Sequence, residues 1–327
     1  MRYLIIGAGA VGGTIGGRLF EAGHEVVLVA RGSHAEALRE RGLRLELPGR
    51  ELELEVPVAT SPQELTPRPD DVLVLAVKTQ DAAAALDTWA AYGEDLPVVC
   101  AQNGVENERL ALRRFRDVHG MCVWLPAEHL EPGVVRAPCA PLTGMLHVGR
   151  FPSGTDEVTR RIAADLEKSG FAAPVTDEVM AWKYAKLLAN LGNAVQAVCG
   201  PAEDTAPAAQ LAAAARAEGE AVLDAAGIRH IDQLEQTRVR GDRMRPQPLK
   251  GAERGGGSSW QSLARGAGSI ESDYLNGEIV LLGRTTGVPT PVNEALQRTA
   301  NRFARAHREP GTLTPPELAH LTALLPG

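Results

Sequence analysis

Apolar positions along this chain follow two rhythms, and the change from one to the other divides it. Through about residue 176 they form short unbroken runs at 3–6, 26–30, 72–77 and 98–101, each closed by glycine or a polar residue. Runs of that length suit strands of a parallel sheet buried on both faces. "GVVRAPC" (133–139) and "GMLHVGR" (144–150) read as strands extending the same sheet, 155–169 as a helix with its charges on one side, and "FAAPVT" (171–176) as a closing strand. From Asp177 onward the apolar spacing is helical. The alanine-rich stretch 205–226 predicts a helix stopped at Gly227, and Thr290-Pro291 an N-cap and first residue for the last long helix. Between them, 229–257 begins helically and becomes a Pro/Gly-rich segment bearing Arg238, Arg240, Arg243, Arg245, Lys250 and Arg254, the pattern of a solvated loop. The chain is therefore expected to be an α/β Rossmann-type doubly wound sheet over 1–176 followed by an all-α domain over 177–327.

The turn after the first run carries the most chemistry. Gly7-x-Gly9-x-x-Gly12 lies between an apolar strand and a helix that leads to a second strand. In that setting Gly7 permits the tight turn, Gly9 lets backbone approach a pyrophosphate, and Gly12 allows close packing of helix on sheet. Gly7, Ala8, Gly9, Ala10, Val11 and Gly12 are thus the expected contacts of a dinucleotide. The second strand ends "VVLVARGSH", with Arg31, Gly32 and Ser33 and no carboxylate. Arginine there suits a 2′-phosphate, so the expected cofactor is NADPH/NADP. Lys78 and Asn103 follow the third and fourth runs, which places both on the carboxyl edge of the sheet beside the glycine loop.

In the second half, "WKYAKLLANLGNA" (182–194) sets Trp182, Lys186, Asn190 and Asn193 within about a quarter of a helix circumference. Asparagine is a poor helix former that competes for backbone hydrogen bonds, so the stripe reads as the lining of a polar cleft. Glu271, Tyr274, Leu275 and Glu278 also follow helical spacing, with Ser259 twelve residues before Glu271. On pattern alone Glu271 is a solvated helix charge.

Composition narrows the classes. A length of 327 residues favours two domains, and 44% hydrophobic with 23% charged residues is the balance of a soluble globular protein. No apolar run spans a bilayer and no secretory leader precedes the first strand, so a cytoplasmic protein without membrane partners is expected. A formal charge of -7 argues against nucleic acid as a partner. Cys100, Cys122, Cys139 and Cys199 form no C-x-x-C and have no histidine at metal spacing; they read as core thiols, and no metal site is expected.

The glycine motif, the Lys78 and Asn103 strand ends, the K-x-x-x-N of Lys186 and Asn190, and "SSWQSLARGAGSIESDYLNGEI" together resemble the ketopantoate reductase family over nearly the whole chain. The resemblance implies a Rossmann domain and a helical domain with the active site in the cleft between them. It implies Lys186 as the proton donor, Asn190 and Ser259 as substrate contacts, and Lys78, Asn103 and Glu271 as cofactor or substrate contacts; in the chemistry, Glu271 would either orient Lys186 or hold a substrate hydroxyl. The expected reaction is NADPH-dependent reduction of ketopantoate to pantoate. One position departs: the family's second asparagine falls on Ala194, and Asn193 stands one residue earlier, about 100° away on a helix. A related 2-oxo or 3-hydroxy acid dehydrogenase and a non-enzymatic NADPH sensor remain alternatives, and a homodimer is among the assemblies the sequence permits.

Overall fold

The computed structural model describes residues 1–200, 206–249 and 256–323. The strands are β1 (Arg2–Ile6), β2 (Glu25–Val29), β3 (Leu43–Leu47), β4 (Arg50–Leu54), β5 (Val58–Ala59), β6 (Asp71–Leu75) and β7 (Val98–Cys100). There follow β8 (Val118–Trp124), β9 (Val134–Arg136), β10 (Cys139–Pro141), β11 (Gly144–Arg150), β12 (Phe171–Ala172) and β13 (Met244–Pro246). The helices between them are α1 (Ala10–Glu21), α2 (Gly32–Arg41), α3 (Thr79–Ala90), α4 (Asn107–Leu112), α5 (Glu157–Lys168), α6 (Val179–Asn190) and α7 (Asn193–Cys199). The remainder are α8 (Ala206–Ala225), α9 (Gln233–Arg240), α10 (Ser258–Ala264), α11 (Asn276–Thr286), α12 (Pro291–Arg305) and α13 (Pro315–Ala323).

Two compact units emerge, Met1–Lys183 with Asp232–Glu253, and Tyr184–Ile231 with Arg254–Gly327. In the first, an eight-stranded sheet runs β12-β11-β8-β7-β6-β1-β2-β5. β1 pairs in parallel with β2 on one side and β6 on the other, so the strand order reverses at β1 and opens a crevice at its carboxyl end. All pairs are parallel except β8 with β11. The four apolar runs are the buried strands β1, β2, β6 and β7, and 144–150 joins their sheet as expected. The run at 133–139 does not: β9 pairs with β3 in a separate three-stranded sheet, and β10 pairs with β13. Strand periodicity marks an extended segment but not its partner.

The other unit is helical in every described element. α8 ends before Gly227, whose φ of 66° turns the chain, and Thr290 and Pro291 open α12. The first-unit strand β13 lies inside the segment read as a basic loop. It is tied back by β10, by the Leu142 amide on the Arg243 carbonyl (3.1 Å), and by Arg240 over the Trp124 ring (5.2 Å). Asp232–Glu253 therefore belongs with the sheet, away from the 177–327 grouping, because sequence order does not record such returns. Arg238 and Arg245 pair locally with Glu235 and Asp242; Lys250 and Arg254 lie outside the described residues.

At the amino ends of β1 and β6, Arg2 grips Asp71 through two bonds (2.6 and 2.8 Å), and Tyr92 donates to the same carboxylate (2.9 Å). Burial works to raise the Asp71 pKa, but Arg2, the Arg68 amide and Tyr92 together hold it below the usual carboxylate range. All four cysteines are buried and free. Asp117, His119 and Asp156 form the one group at metal-like spacing among the described residues. Arg150 already pairs with both carboxylates (3.3 and 2.9 Å), and His119 faces Asp117 (3.2 Å). No helix among the described residues is long and apolar enough to cross a membrane.

His147 on β11 is 1% exposed and stacks on Trp182 with ring centroids 3.8 Å apart. Burial pushes its pKa from 6.5 down to about 4. Between those values the unfolded chain binds a proton that the folded chain refuses, so stability is full above pH 6.5 and falls as pH drops toward 4. The loss approaches about 3 kcal/mol for a shift of this size. Denaturant titrations from pH 7 to 4 are expected to show that slope, and His147→Leu to flatten it; an equal slope in the variant assigns the acid sensitivity elsewhere.

Candidate active site

The glycine loop is shaped by what a side chain would strike. Gly7 has φ 104°, and a Cβ there would stand 2.7 Å from the Val77 nitrogen, against the backbone that leaves β6. Its amide and that of Ala8 donate to the Val29 carbonyl (3.0 and 3.2 Å), which fastens the turn to the end of β2. A Cβ on Gly12 would collide with the Gly7 carbonyl oxygen and lie 2.9 Å from Ile5 Cγ2. Around Gly9, by contrast, nothing lies within 4 Å of a Cβ. That residue caps α1, whose first-turn amides have no acceptor in their own helix. Ala10 and Val11, partly exposed, complete the turn. The result is an open cradle of N–H donors at a helix N-terminus, which fits a dinucleotide pyrophosphate.

Two neighbours complete this edge. Arg31 is exposed at the N-cap of α2 and forms no ion pair with any described residue. His34, which no sequence motif marks, joins Ala8 to a distant loop: the Gly133 amide donates to Nδ1 (3.0 Å), leaving Nε2–H to donate to the Ala8 carbonyl (2.8 Å). Burial lowers the His34 pKa, against the Ala8 bond, and so favours the neutral ring that this pairing requires. Nothing in "ARGSH" marks the histidine as special, because both partners are remote backbone groups.

Lys78 ends the β6 turn at the N-cap of α3, half-buried, and Asn103 lies in the turn between β7 and α4. Asn107 stitches these turns together, its Nδ2 donating to Thr79 Oγ1 (3.1 Å) and to the Asn103 carbonyl (3.4 Å). The strand-end residues are thus neighbours on one edge. Gly104, with φ 77°, allows the chain to turn into α4.

In the helical unit, Lys186 and Asn190 stand one turn apart on α6, the lysine half-buried and the asparagine 5% exposed. Asn190 Nδ2 is buried with no hydrogen-bond partner among the described residues. Asn193 follows a helix break: α6 ends at Asn190, and Asn193 begins α7 after a turn at Leu191-Gly192. Asn193 lies beside Gly257, where its Oδ1 is 3.8 Å from the position of a Cβ, and Gln196 accepts the Gly257 amide (2.7 Å). This holds the start of α10, with Ser259 buried at 4% exposure, against α7. Glu271 opens a 3-10 turn, Glu271–Tyr274, separate from α11, and is 8% exposed. The solvated helix charge is therefore corrected to a buried carboxylate; helical spacing does not reveal which face of an all-helical unit meets another helix.

The break after α6 is held by residues without a site assignment. Asn276 donates to the Leu191 carbonyl (3.0 Å) and to Asn293 Oδ1 (3.0 Å), while Asn293 donates to the Ala215 carbonyl (2.8 Å) and to Glu218 (2.8 Å). Asparagines in "YLNGE" and "TPVNE" at helix starts are the available signal, though it resembles ordinary capping.

The glycine geometry makes a contrast. Gly12→Ala forces a Cβ into fixed backbone and is expected to cost more than about 3 kcal/mol, whereas Gly9→Ala, at φ -71° in open space, stays within about 0.5 kcal/mol. Thermal unfolding of the two variants checks this, and similar melting temperatures would refute the packing role of Gly12.

Comparison with known proteins places both halves. The family described as "Ketopantoate reductase PanE/ApbA" matches residues 3–152, and "Ketopantoate reductase PanE/ApbA C terminal" matches residues 178–303. A 2-dehydropantoate 2-reductase of Mesorhizobium japonicum is 31% identical over 93% of this chain and 98% of its own. The crystal structure of a PanE/ApbA family ketopantoate reductase from Ralstonia eutropha superposes with a TM-score of 0.77 at 27% identity, covering 94% of this chain and 99% of that one. D-mandelate dehydrogenase in a ternary structure with NADH and anilino(oxo)acetate superposes with a TM-score of 0.79 at 22% identity, over 94% and 99% of the chains, and shares the fold.

Proposed function

Because the chain belongs to the ketopantoate reductase family, we propose that it reduces 2-dehydropantoate to pantoate with NADPH, in the cytoplasm, as a step toward pantothenate and coenzyme A. The observation that carries this reading is the Lys186–Asn190 pair on α6, an amine one turn from a buried amide donor that no described residue satisfies. An unsatisfied buried donor is costly unless a ligand oxygen takes it. We assign the cofactor to the sheet-bearing unit and the substrate chemistry to the helical one.

In the first unit the cradle of Gly7, Ala8, Gly9, Ala10, Val11 and Gly12 would hold the pyrophosphate, with Lys78 and Asn103 on the same edge as further cofactor or substrate contacts. Arg31, exposed and without a carboxylate neighbour at the end of β2, supports NADPH over NADH through a guanidinium–phosphate pair. The bound dihydronicotinamide supplies the hydride to the C2 carbonyl. Lys186 meets the negative charge that develops on the carbonyl oxygen and delivers the proton there. Asn190, Asn193 and Ser259 offer neutral donors to the substrate carboxylate and hydroxyl, and Glu271 orients Lys186 or accepts the substrate hydroxyl.

Loss of NADPH absorbance with ketopantoate, against NADH and a panel of small 2-oxo acids, is the direct test. Selective turnover of ketopantoate supports the reading, comparable turnover of another oxo acid reassigns the substrate, and binding without turnover points to a sensor. Lys186→Ala is expected to lower kcat by about 10²–10⁴-fold with NADPH affinity nearly unchanged. An unaltered kcat removes the lysine from its role. Arg31→Ala is expected to weaken NADPH by about tenfold and NADH hardly at all, as loss of one charged hydrogen bond implies; equal losses would discard the phosphate assignment.

A further inference from the structure

One buried ion pair plays no part in the chemistry above. Lys183 on α6 is 2% exposed and Glu108, the second residue of α4, 0% exposed, and the two are in direct contact. Lys183 Nζ also donates to the carbonyl of Gln102 (3.1 Å), the residue before Asn103. Burial raises the Glu108 pKa against the opposing charge of Lys183, and Glu108 Oε2 has no hydrogen-bond partner among the described residues. Pairs of this kind seldom add stability over an apolar replacement, because desolvation offsets the attraction. What this one does is geometric. The turn Gln102-Asn103-Gly104 is held at one carbonyl by Lys183 and at the next by Asn107, and Glu108 ties the helix that follows the turn to the same ammonium.

We propose that Lys183, neutralised by Glu108, is a positioning residue that fixes the Asn103 turn at the carboxyl end of β7, and so the side chain Asn103 presents to cofactor or substrate. The inference rests on the assignment of Asn103 given above. Without the ammonium, the Gln102 carbonyl and the Glu108 carboxylate have no donor in a place closed to water, and the turn settles into several arrangements. A displacement of about 1 Å in a group that orients reactants is enough for losses near a hundredfold.

Lys183→Met alone strands the Glu108 charge and lowers the melting temperature, so the informative variant is Lys183→Met with Glu108→Leu, which removes both charges. Its expected melting temperature is near that of the native chain, with kcat/KM for ketopantoate reduced at least tenfold. Asn103→Ala, costly in the native chain, is expected to cost at least threefold less in this background, because the turn is already displaced. Glu108→Gln deprives the Lys183 charge of its counterion and lowers the melting temperature, but it retains the Lys183 bond to Gln102 and, in the folded protein, keeps kcat/KM within threefold of native. An undiminished Asn103→Ala penalty in the charge-free variant, or a Glu108→Gln loss as large as that of the charge-free variant, overturns the positioning role while leaving Asn103 in place. Native kinetics for Asn103→Ala in the unaltered chain overturns the Asn103 assignment itself, and the purpose of the clamp with it.

Discussion

The turn out of β1 is the constraint on which the sheet-bearing unit depends. The chain must leave the central strand, pass within contact of the backbone departing β6, and start a helix lying directly on the sheet. Only residues without side chains fit at Gly7 and Gly12. The same economy continues along α1, where Gly13, Gly16 and Gly17 let Val135, Leu28 and Leu43 close on the helix. The small sheet of β3, β4 and β9 is thereby drawn onto α1, which also brings Gly133 to His34 and His34 to the Ala8 carbonyl. Close packing thus shapes the cradle, while Gly9 is the one glycine of the motif facing open space.

Charge is distributed by a consistent rule in that unit. Where it is buried, it fastens backbone: Arg2 and Asp71 at the amino ends of β1 and β6, Lys183 and Glu108 at the carboxyl end of β7. Each such pair also bonds a main-chain group, the Thr66 carbonyl in one case and the Gln102 carbonyl in the other. Arg31 has no such duty and is exposed at the strand end. A group bound up in the fold is poorly placed to respond to a ligand, whereas an exposed guanidinium loses little by pairing with phosphate.

The helical unit uses amides where the other uses ions. Asn276 and Asn293 satisfy the backbone at the α6–α7 break, while Asn190 Nδ2 and Ser272 Oγ are buried without a hydrogen-bond partner among the described residues. Neutral donors can hold a carboxylate without the desolvation cost of another fixed charge. Beyond the break, Asn193 opens α7 beside Gly257 at the start of α10. D-mandelate dehydrogenase shares the fold, and a shared architecture does not by itself specify a substrate.

Local sequence determined the elements whose signals are themselves local. Unbroken apolar runs specified β1, β2, β6 and β7; the glycine spacing specified the turn and the helix start; Thr290-Pro291 specified the start of α12. The Lys186–Asn190 pair was legible because four residues make one helical turn. Lys183 was not, although apolar Met180 and Leu187 lie on its side of the helix, because its partners are 75 and 81 residues away in sequence. Tertiary structure alone decided that β9 and β13 leave the expected groupings, that Glu271 is buried, and that Asn193 opens a new helix. Periodicity states which face of a segment is apolar; which other segment covers that face is set by packing between distant parts of the chain, and no local pattern encodes it.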